Sequence, residues 1–219
     1  MCWCSYLPIN LIQTKSRLVI LQHPGEEKRC LRTAKILELS LAKSQCCILR
    51  GKKFTTNKYP QLRDVVFQPE NSFLLYPGEN SMPIENIDHT KPYNIVIIDS
   101  TWAQSRSIYH NSIEIHNLPK VELKCNTPSN YLIRTQPTDA CLSTVETAAI
   151  ALSYTENDDT IYEKLTTPLR AMCEFQIQHG AVSHHSKEYL ITNGLYTKPL
   201  TKRIQQKLSN NEDIKKFIR

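Results

Sequence analysis

Five short stretches of the chain gather residue types that can do chemistry. His23-Pro24-Gly25-Glu26, Tyr76-Pro77-Gly78-Glu79 and Asp99-Ser100-Thr101-Trp102 each follow an apolar run. A fourth stretch extends from Arg134-Thr135-Gln136-Pro137 to Leu142-Ser143-Thr144-Val145-Glu146, and the fifth is Cys2-Trp3-Cys4. A carboxylate such as Asp99 can take a proton from a substrate or attack it as a nucleophile. Arg106 can meet an anion, and so can Arg134. Cys2 and Cys4 resemble half of a zinc site, but tetrahedral zinc takes four ligands, and no complementary pair follows at ordinary spacing.

Each residue also has a structural reading. Asp99 serves equally well as the cap of the helix that carries Arg106. Trp102, on a first helical turn, is suited to core packing, and His23 before a proline to a hydrogen bond within a turn. Ser143 and Glu146 have the spacing of a capping box, in which each side chain bonds the other's backbone N–H. Taken singly, none of these decides the function.

The elements that must position these groups alternate between strand and helix. Arg17–Gln22, Cys46–Leu49, Ser72–Tyr76 and Tyr93–Ile98 are apolar runs that read as strands. Val121–Leu123 and Tyr131–Arg134 read as further, shorter ones. The run Ile95-Val96-Ile97-Ile98 has no polar alternation, as expected of a strand covered on both faces of a parallel sheet. From Glu26 to about Ala42, Leu31, Ala34, Leu37 and Leu41 recur at helical spacing. Further helices are expected after Asp99-Ser100-Thr101, after Ser143 as far as about Asn157, and from Ile161 to His179, the last interrupted by Pro168 and stopped by Gly180. This alternation predicts an α/β fold with a mainly parallel sheet and flanking helices. Such sheets hold ligands at the carboxyl ends of their strands, which is where the first four polar stretches fall.

Composition narrows the function. At 219 residues the chain is one full domain with appendages. Its 40% hydrophobic and 22% charged residues exclude wholesale disorder. No apolar run approaches the roughly 18 residues of a membrane span, so a soluble protein with no membrane partner is expected. Gly25, Gly51, Gly78, Gly180 and Gly194 stand too far apart for GxGxxG or GxxxxGK, which excludes a Rossmann turn and a P-loop. The eight cysteines come with no signal peptide ahead of them, so cytoplasm or nucleus is expected, with most of the thiols reduced. Of the net charge of +6, five units lie between Lys198 and Arg219, where seven basic residues face two acidic ones. The body is near neutral, and the C-terminal arm is suited to phosphate contact.

The ordered set C-W-C-x-x-L-P, H-P-x-E, L-Y-P-G, D-S-T-W-x-Q-x-R and Q-P-T-x-x-x-L-S-T-x-E-x-A-A resembles the DTW-domain family. The likeness runs from Cys2 to beyond Gly194. Phe175-Gln-Ile-Gln-His-Gly-Ala, Ser186-Lys-Glu and Asn193-Gly-Leu-Tyr resemble the animal-type branch. The resemblance implies a tRNA-processing transferase that moves the 3-amino-3-carboxypropyl group of S-adenosylmethionine onto N3 of a D-loop uridine. It also implies a SPOUT-like fold with a C-terminal knot that holds this co-substrate. The expected division is a transferase domain over 1–194, with 1–16 as a partial zinc-binding segment, and a basic tail over 195–219. Family members commonly carry further cysteines upstream of C-W-C, so zinc is possible with its site incomplete here. Glycine is common where Ser100 stands.

On this resemblance Asp99 is the base for the N3 proton, and Thr101 and Trp102 shape the catalytic pocket. Tyr76, Pro77, Gly78, Leu142, Ser143, Thr144 and Glu146 would hold S-adenosylmethionine. His23, Glu26, Arg106 and Arg134 would meet substrate, and Cys2 and Cys4 a metal. The expected partner is tRNA, not DNA; the residues set no oligomeric state and select no particular tRNA or D-loop uridine. Two other readings share these residues. One is an RNA-binding protein with a vestigial pocket. The other is a phosphatase with Asp99 as nucleophile, which expects a second acid where Thr101 stands.

Overall fold

The computed structural model describes residues 2–29, 31–123, 129, 131, 133, 138, 141–182, 184–200 and 204–205. The chain divides into two compact units, Cys2–Lys124 with Thr144–Leu169, and Cys125–Ser143 with Arg170–Arg219.

The first unit is built on six strands: β1 (Arg17–Gln22), β2 (Cys46–Arg50), β3 (Ser72–Leu75), β4 (Met82–Pro83), β5 (Asn94–Asp99) and β6 (Lys120–Glu122). They form one sheet in the order β2-β1-β5-β3-β6-β4, with every pairing parallel. This is the α/β architecture that the apolar runs predict. The short β4 was not expected, and its Pro83 is tolerated because β4 lies at the sheet edge. Leu18, Val19, Ile20 and Leu21 are all fully buried, so β1 is covered on both faces. Val19 and Leu21 join Leu74, Val96, Phe54, Val65 and Ile108 in one core cluster, while Leu18 and Ile20 alternate to the other face.

The described residues include seven α-helices: α1 (Pro24–Glu27), α2 (Thr33–Ser40), α3 (Arg63–Val66), α4 (Trp102–Asn111), α5 (Thr144–Glu156), α6 (Thr160–Gln178) and α7 (Lys187–Thr192). On α5, Val145, Ala148, Ala149 and Leu152 are buried at i, i+3, i+4 and i+7, and the helix packs on α2 and β5. No helix among the described residues is long and apolar enough to cross a membrane.

Three expectations are corrected. The single helix read over Glu26–Ala42 is two. Pro24 starts a one-turn helix that ends at Lys28, and the apolar period belongs to α2, whose Ala34 and Leu37 are buried. Pro168 does not interrupt α6, which continues through it. A proline inside a helix costs about 3 kcal/mol; here the flanking Leu165 and Leu169 are fully buried, and Thr166 and Thr167 bond the carbonyls of Tyr162 and Glu163. Tyr131–Arg134 is not a strand where it is described, since Tyr131 and Ile133 lie outside any strand.

In the second unit Ser186 caps α7 by accepting from Tyr189 N at 3.0 Å. Ile191 and Ile204 form a small cluster with Tyr196 and Leu200. The C-terminal knot implied by the resemblance is not established by the described residues, and most of 124–140 and of the basic tail lies outside them.

Candidate functional site

In the sheet order, the chain leaves β1 toward β2 on one side and leaves β5 toward β6 on the other. The carboxyl ends of β1 and β5 therefore flank a topological switch point, the place where open α/β sheets take ligands. Register puts Arg50, Gln22 and Asp99 side by side as the last residues of β2, β1 and β5. Asp99 is 7% exposed. Its Oδ2 accepts from Gln22 Nε2 at 2.8 Å and its Oδ1 from the Thr144 hydroxyl at 2.6 Å. Arg50 Nε stands 3.4 Å from both Gln22 Oε1 and Glu27 Oε1. The result is a row of side chains along the strand ends, in which a buried carboxylate is held by two neutral donors. Among the described residues no cation pairs with it. A carboxylate fixed this way keeps a lone pair on each oxygen for a proton or for a cationic ligand.

Asp99 is not the cap of α4. That role belongs to Thr101, which accepts from Gln104 N while Gln104 Oε1 accepts from Thr101 N at 3.0 Å, a reciprocal capping box. The cap places Trp102, half-buried, at the first helical position. Arg106 and Tyr109 follow at i+4 and i+7, along one side of α4. Tyr109 stacks on Tyr76, past the end of β3, with ring centroids 4.8 Å apart, and on His116 at 4.4 Å, with Lys120 Nζ over its ring. Burial pushes the Tyr76 phenol above its usual range, opposed by the positive charge of Arg106. Tyr76 therefore keeps its proton at neutral pH.

His23 caps α1: its Nδ1 accepts from Gly25 N at 3.0 Å, so the ring is neutral with its proton on Nε2. Burial, then the charge of Lys52, holds its pKa below the usual histidine value. Glu26 is buried and pairs with Arg29 at 2.9 Å. Beyond Pro77, Gly78 is exposed, and a Cβ there would meet nothing within 4 Å. Ser81 Oγ closes this turn on Gly78 O at 2.8 Å. Thr144 opens α5, and Glu146 in its first turn is 1% exposed. Leu142 and Ser143 immediately precede that helix in sequence; Arg134 lies outside the described residues.

The first unit thus brings His23, Glu26, Tyr76, Asp99, Thr101, Trp102 and Thr144 to the carboxyl ends of its strands. Cys2 and Cys4 are exposed free thiols, with Cys4 N donating to Cys2 Sγ at 3.4 Å. No group of three or more metal-ligating side chains occurs among the described residues. Two thiols do not satisfy a four-ligand zinc set, so no role is derived through a metal. The residue that sequence reasoning missed is Gln22. Its signal was available: RLVILQ, CCILR and NIVIID all end on a polar residue after an apolar run.

Comparison with known proteins agrees with the motifs on which the strand ends are built. A DTW domain matches residues 1–177. The chain is 44% identical to tRNA-uridine aminocarboxypropyltransferase 2 of Drosophila melanogaster, over 95% of this chain and 84% of the relative. It is 42% identical to the mouse protein of that name, over 92% and 68% respectively. It is 23% identical to tRNA-uridine aminocarboxypropyltransferase A of Arabidopsis thaliana, over 81% and 77%. No solved structure matches the chain. The D-S-T-W motif that ends β5 and starts α4, together with a match across most of the chain, makes this protein a member of the DTW-domain family.

Proposed function

We propose that the protein transfers the 3-amino-3-carboxypropyl group of S-adenosylmethionine to N3 of a tRNA D-loop uridine. The observation that carries this reading is the Asp99 carboxylate, held by Gln22 and Thr144 at the switch point of the sheet in a member of this family. In the reaction the N3 nitrogen forms a bond to the carbon of the transferred group, the bond from that carbon to sulfur breaks, and methylthioadenosine leaves with the electron pair. The N3 proton needs an acceptor, and Asp99 is that base. General-base assistance of this kind contributes roughly 10²–10⁴-fold.

S-adenosylmethionine supplies the sulfonium that makes the transferred carbon electrophilic. The residues fit a cationic donor, because Asp99 is buried without a cation among the described residues. Tyr76, Pro77 and Gly78, with Thr144 and Glu146, are the donor-holding residues in this reading. The open space at Gly78 supports it, since it lets a ligand approach the backbone. Thr101 fixes the start of α4 and with it Trp102, which shapes the pocket. His23, Glu26 and Arg106 face the nucleotide substrate. The transferase domain extends over 1–194 with a basic tail over 195–219, in a protein of the cytoplasm or nucleus.

The test is a transfer assay on undermodified tRNA with added S-adenosylmethionine, followed by mass analysis of the nucleosides and assay of methylthioadenosine. A uridine that gains an aminocarboxypropyl group, with methylthioadenosine released, is the expected result. A methylated nucleoside with S-adenosylhomocysteine would overturn the chemistry, and tRNA binding without any product would favour the RNA-binding reading.

A further inference from the structure

The loop that follows β2 carries Lys52, Lys53 and Lys58, all exposed. Lys52 and Lys53 form no ion pair or hydrogen bond among the described residues. Lys58 lies over the Tyr59 ring, 5.3 Å from its centroid. An unpaired lysine is usually a solvated charge on a mobile stretch of surface. Here the stretch is anchored from beneath. Phe54 is fully buried, its N–H donates to Ser112 Oγ at 3.0 Å, and Thr56 N donates to Glu114 Oε2 at 2.7 Å. Tyr59 N closes on Thr55 O at 2.9 Å, and the Tyr59 hydroxyl donates to Arg50 O. A Cβ at Gly51 would come within 2.3 Å of that hydroxyl, so glycine lets the hydroxyl reach Arg50 O.

The loop is also tied to the candidate site. Gly51 N donates to Gln22 O at 2.9 Å, and Gln22 is the residue whose amide holds Asp99. Lys52 lies near enough to His23 for its charge to help hold down the histidine's pKa. A buried framework therefore presents three lysines at the carboxyl edge of the sheet, and two acidic side chains that touch the loop or the strand ahead of it have partners of their own. Glu27 pairs with Arg50, and Glu114 accepts from the loop backbone.

We infer that loop 51–58 is a binding site for the sugar-phosphate backbone of the RNA substrate, holding it alongside the strand end that carries Asp99. This rests on the transferase reading above and adds to it a contact surface distinct from the C-terminal arm. Ammonium groups on a fixed backbone suit phosphodiesters, which bind as a series of point charges with release of counterions and without base selectivity.

The experiment measures binding of an unmodified tRNA transcript by the full chain across a salt series. Lys52→Gln/Lys53→Gln/Lys58→Gln is compared with Lys15→Gln/Lys43→Gln/Lys91→Gln, which removes the same charge just ahead of β1, β2 and β5. The loop variant is expected to lose two to three units of log–log salt slope and about 10²-fold in affinity near 0.1 M salt, from roughly 0.7–0.9 unit per phosphate released. Its KM for tRNA should rise, with S-adenosylmethionine affinity and thermal midpoint unchanged. Lys52→Arg/Lys53→Arg/Lys58→Arg should restore binding, which separates charge from folding. A loop variant that binds tRNA like the amino-edge variant overturns the inference alone. A wild-type protein that does not bind tRNA overturns the transferase reading and the inference with it.

Discussion

The two edges of the sheet each hold a carboxylate between two donors, and they use it in opposite ways. At the amino edge Glu156, the last residue of α5, accepts from the backbone N–H groups of Lys15 and Ser16, both at 2.8 Å, just ahead of β1. Gln45 Nε2 donates to Thr14 O, and Ser16 Oγ accepts from Tyr93 N. Nearby, burial pushes the Cys46 thiol up to about 12, so it stays protonated at neutral pH. There side chains complete the hydrogen bonding of the main chain. At the carboxyl edge Asp99 accepts from two side chains, and Gln22 bridges to Arg50. A side chain bonded to backbone is consumed by the fold, whereas side chains that bond only one another are held in place and remain available to a third party.

That contrast is sharpest in its two carboxylates. Asp99→Asn should lower aminocarboxypropyl transfer by about 10²–10⁴-fold, while the thermal midpoint stays near wild type because Thr101 caps α4. A variant that transfers at the wild-type rate would remove Asp99 as the base. Glu156→Ala should do the reverse. Loss of two charge-assisted hydrogen bonds costs about 2–3 kcal/mol, a fall of roughly 4–12 °C in midpoint for a chain of this size. Transfer measured well below the midpoint should be unaffected; a large loss of turnover there would erase the distinction between the edges.

A smaller effect is expected at the base of the lysine loop. Gly51→Ala forces the Tyr59 hydroxyl off Arg50 O, and loss of that bond should cost about 0.5–1.5 kcal/mol. Calorimetry should find Tyr59→Phe destabilised to a similar degree and the double variant little worse than either. Full additivity would mean that the two residues do not share one interaction.

The smallest effect is one of pH. His23 has a lowered pKa in the folded chain, and its neutral Nδ1 is what caps α1. The stability it contributes is complete above its unfolded value near 6.5 and is lost as pH falls through the lower folded value. His23→Asn retains a capping acceptor that does not titrate, so its midpoint should fall less than that of wild type between pH 7 and 5. Lys52→Gln should raise the histidine's pKa by NMR titration, and no change would separate the loop from the strand end.

Much of this arrangement was legible in the sequence, for local reasons. The apolar runs gave β1, β3 and β5, because a strand buried on both faces has no polar alternation to obscure it, and the edge strand β2 by its short apolar run alone. The residues around Asp99 mark it as a candidate site residue and offer it equally as a helix cap. The Thr101-Trp-Ala-Gln104 spacing, the same signature read at Ser143–Glu146, would have assigned the cap to Thr101. Pro168 misled because the penalty for a helical proline is local, whereas the buried Leu165 and Leu169 that oppose it depend on tertiary packing. Gln22 and the β2-β1-β5-β3-β6-β4 order depend on which strands become neighbours, and no local pattern carries that information.

The amide of Gln22 gives the strand-end row a direction. Its nitrogen faces Asp99 and its oxygen faces Arg50, and turning it around would set donor against donor and acceptor against acceptor. Every group in the row is thus fixed in its polarity by a single unsymmetrical side chain. Gln22→Glu would replace that nitrogen by an oxygen and set two carboxyls against each other. Two acceptors would then face each other where the native row pairs a donor with an acceptor, and transfer by this variant should fall in the nucleoside assay. The row therefore sets Asp99 as an acceptor toward its neighbour through the orientation of one amide.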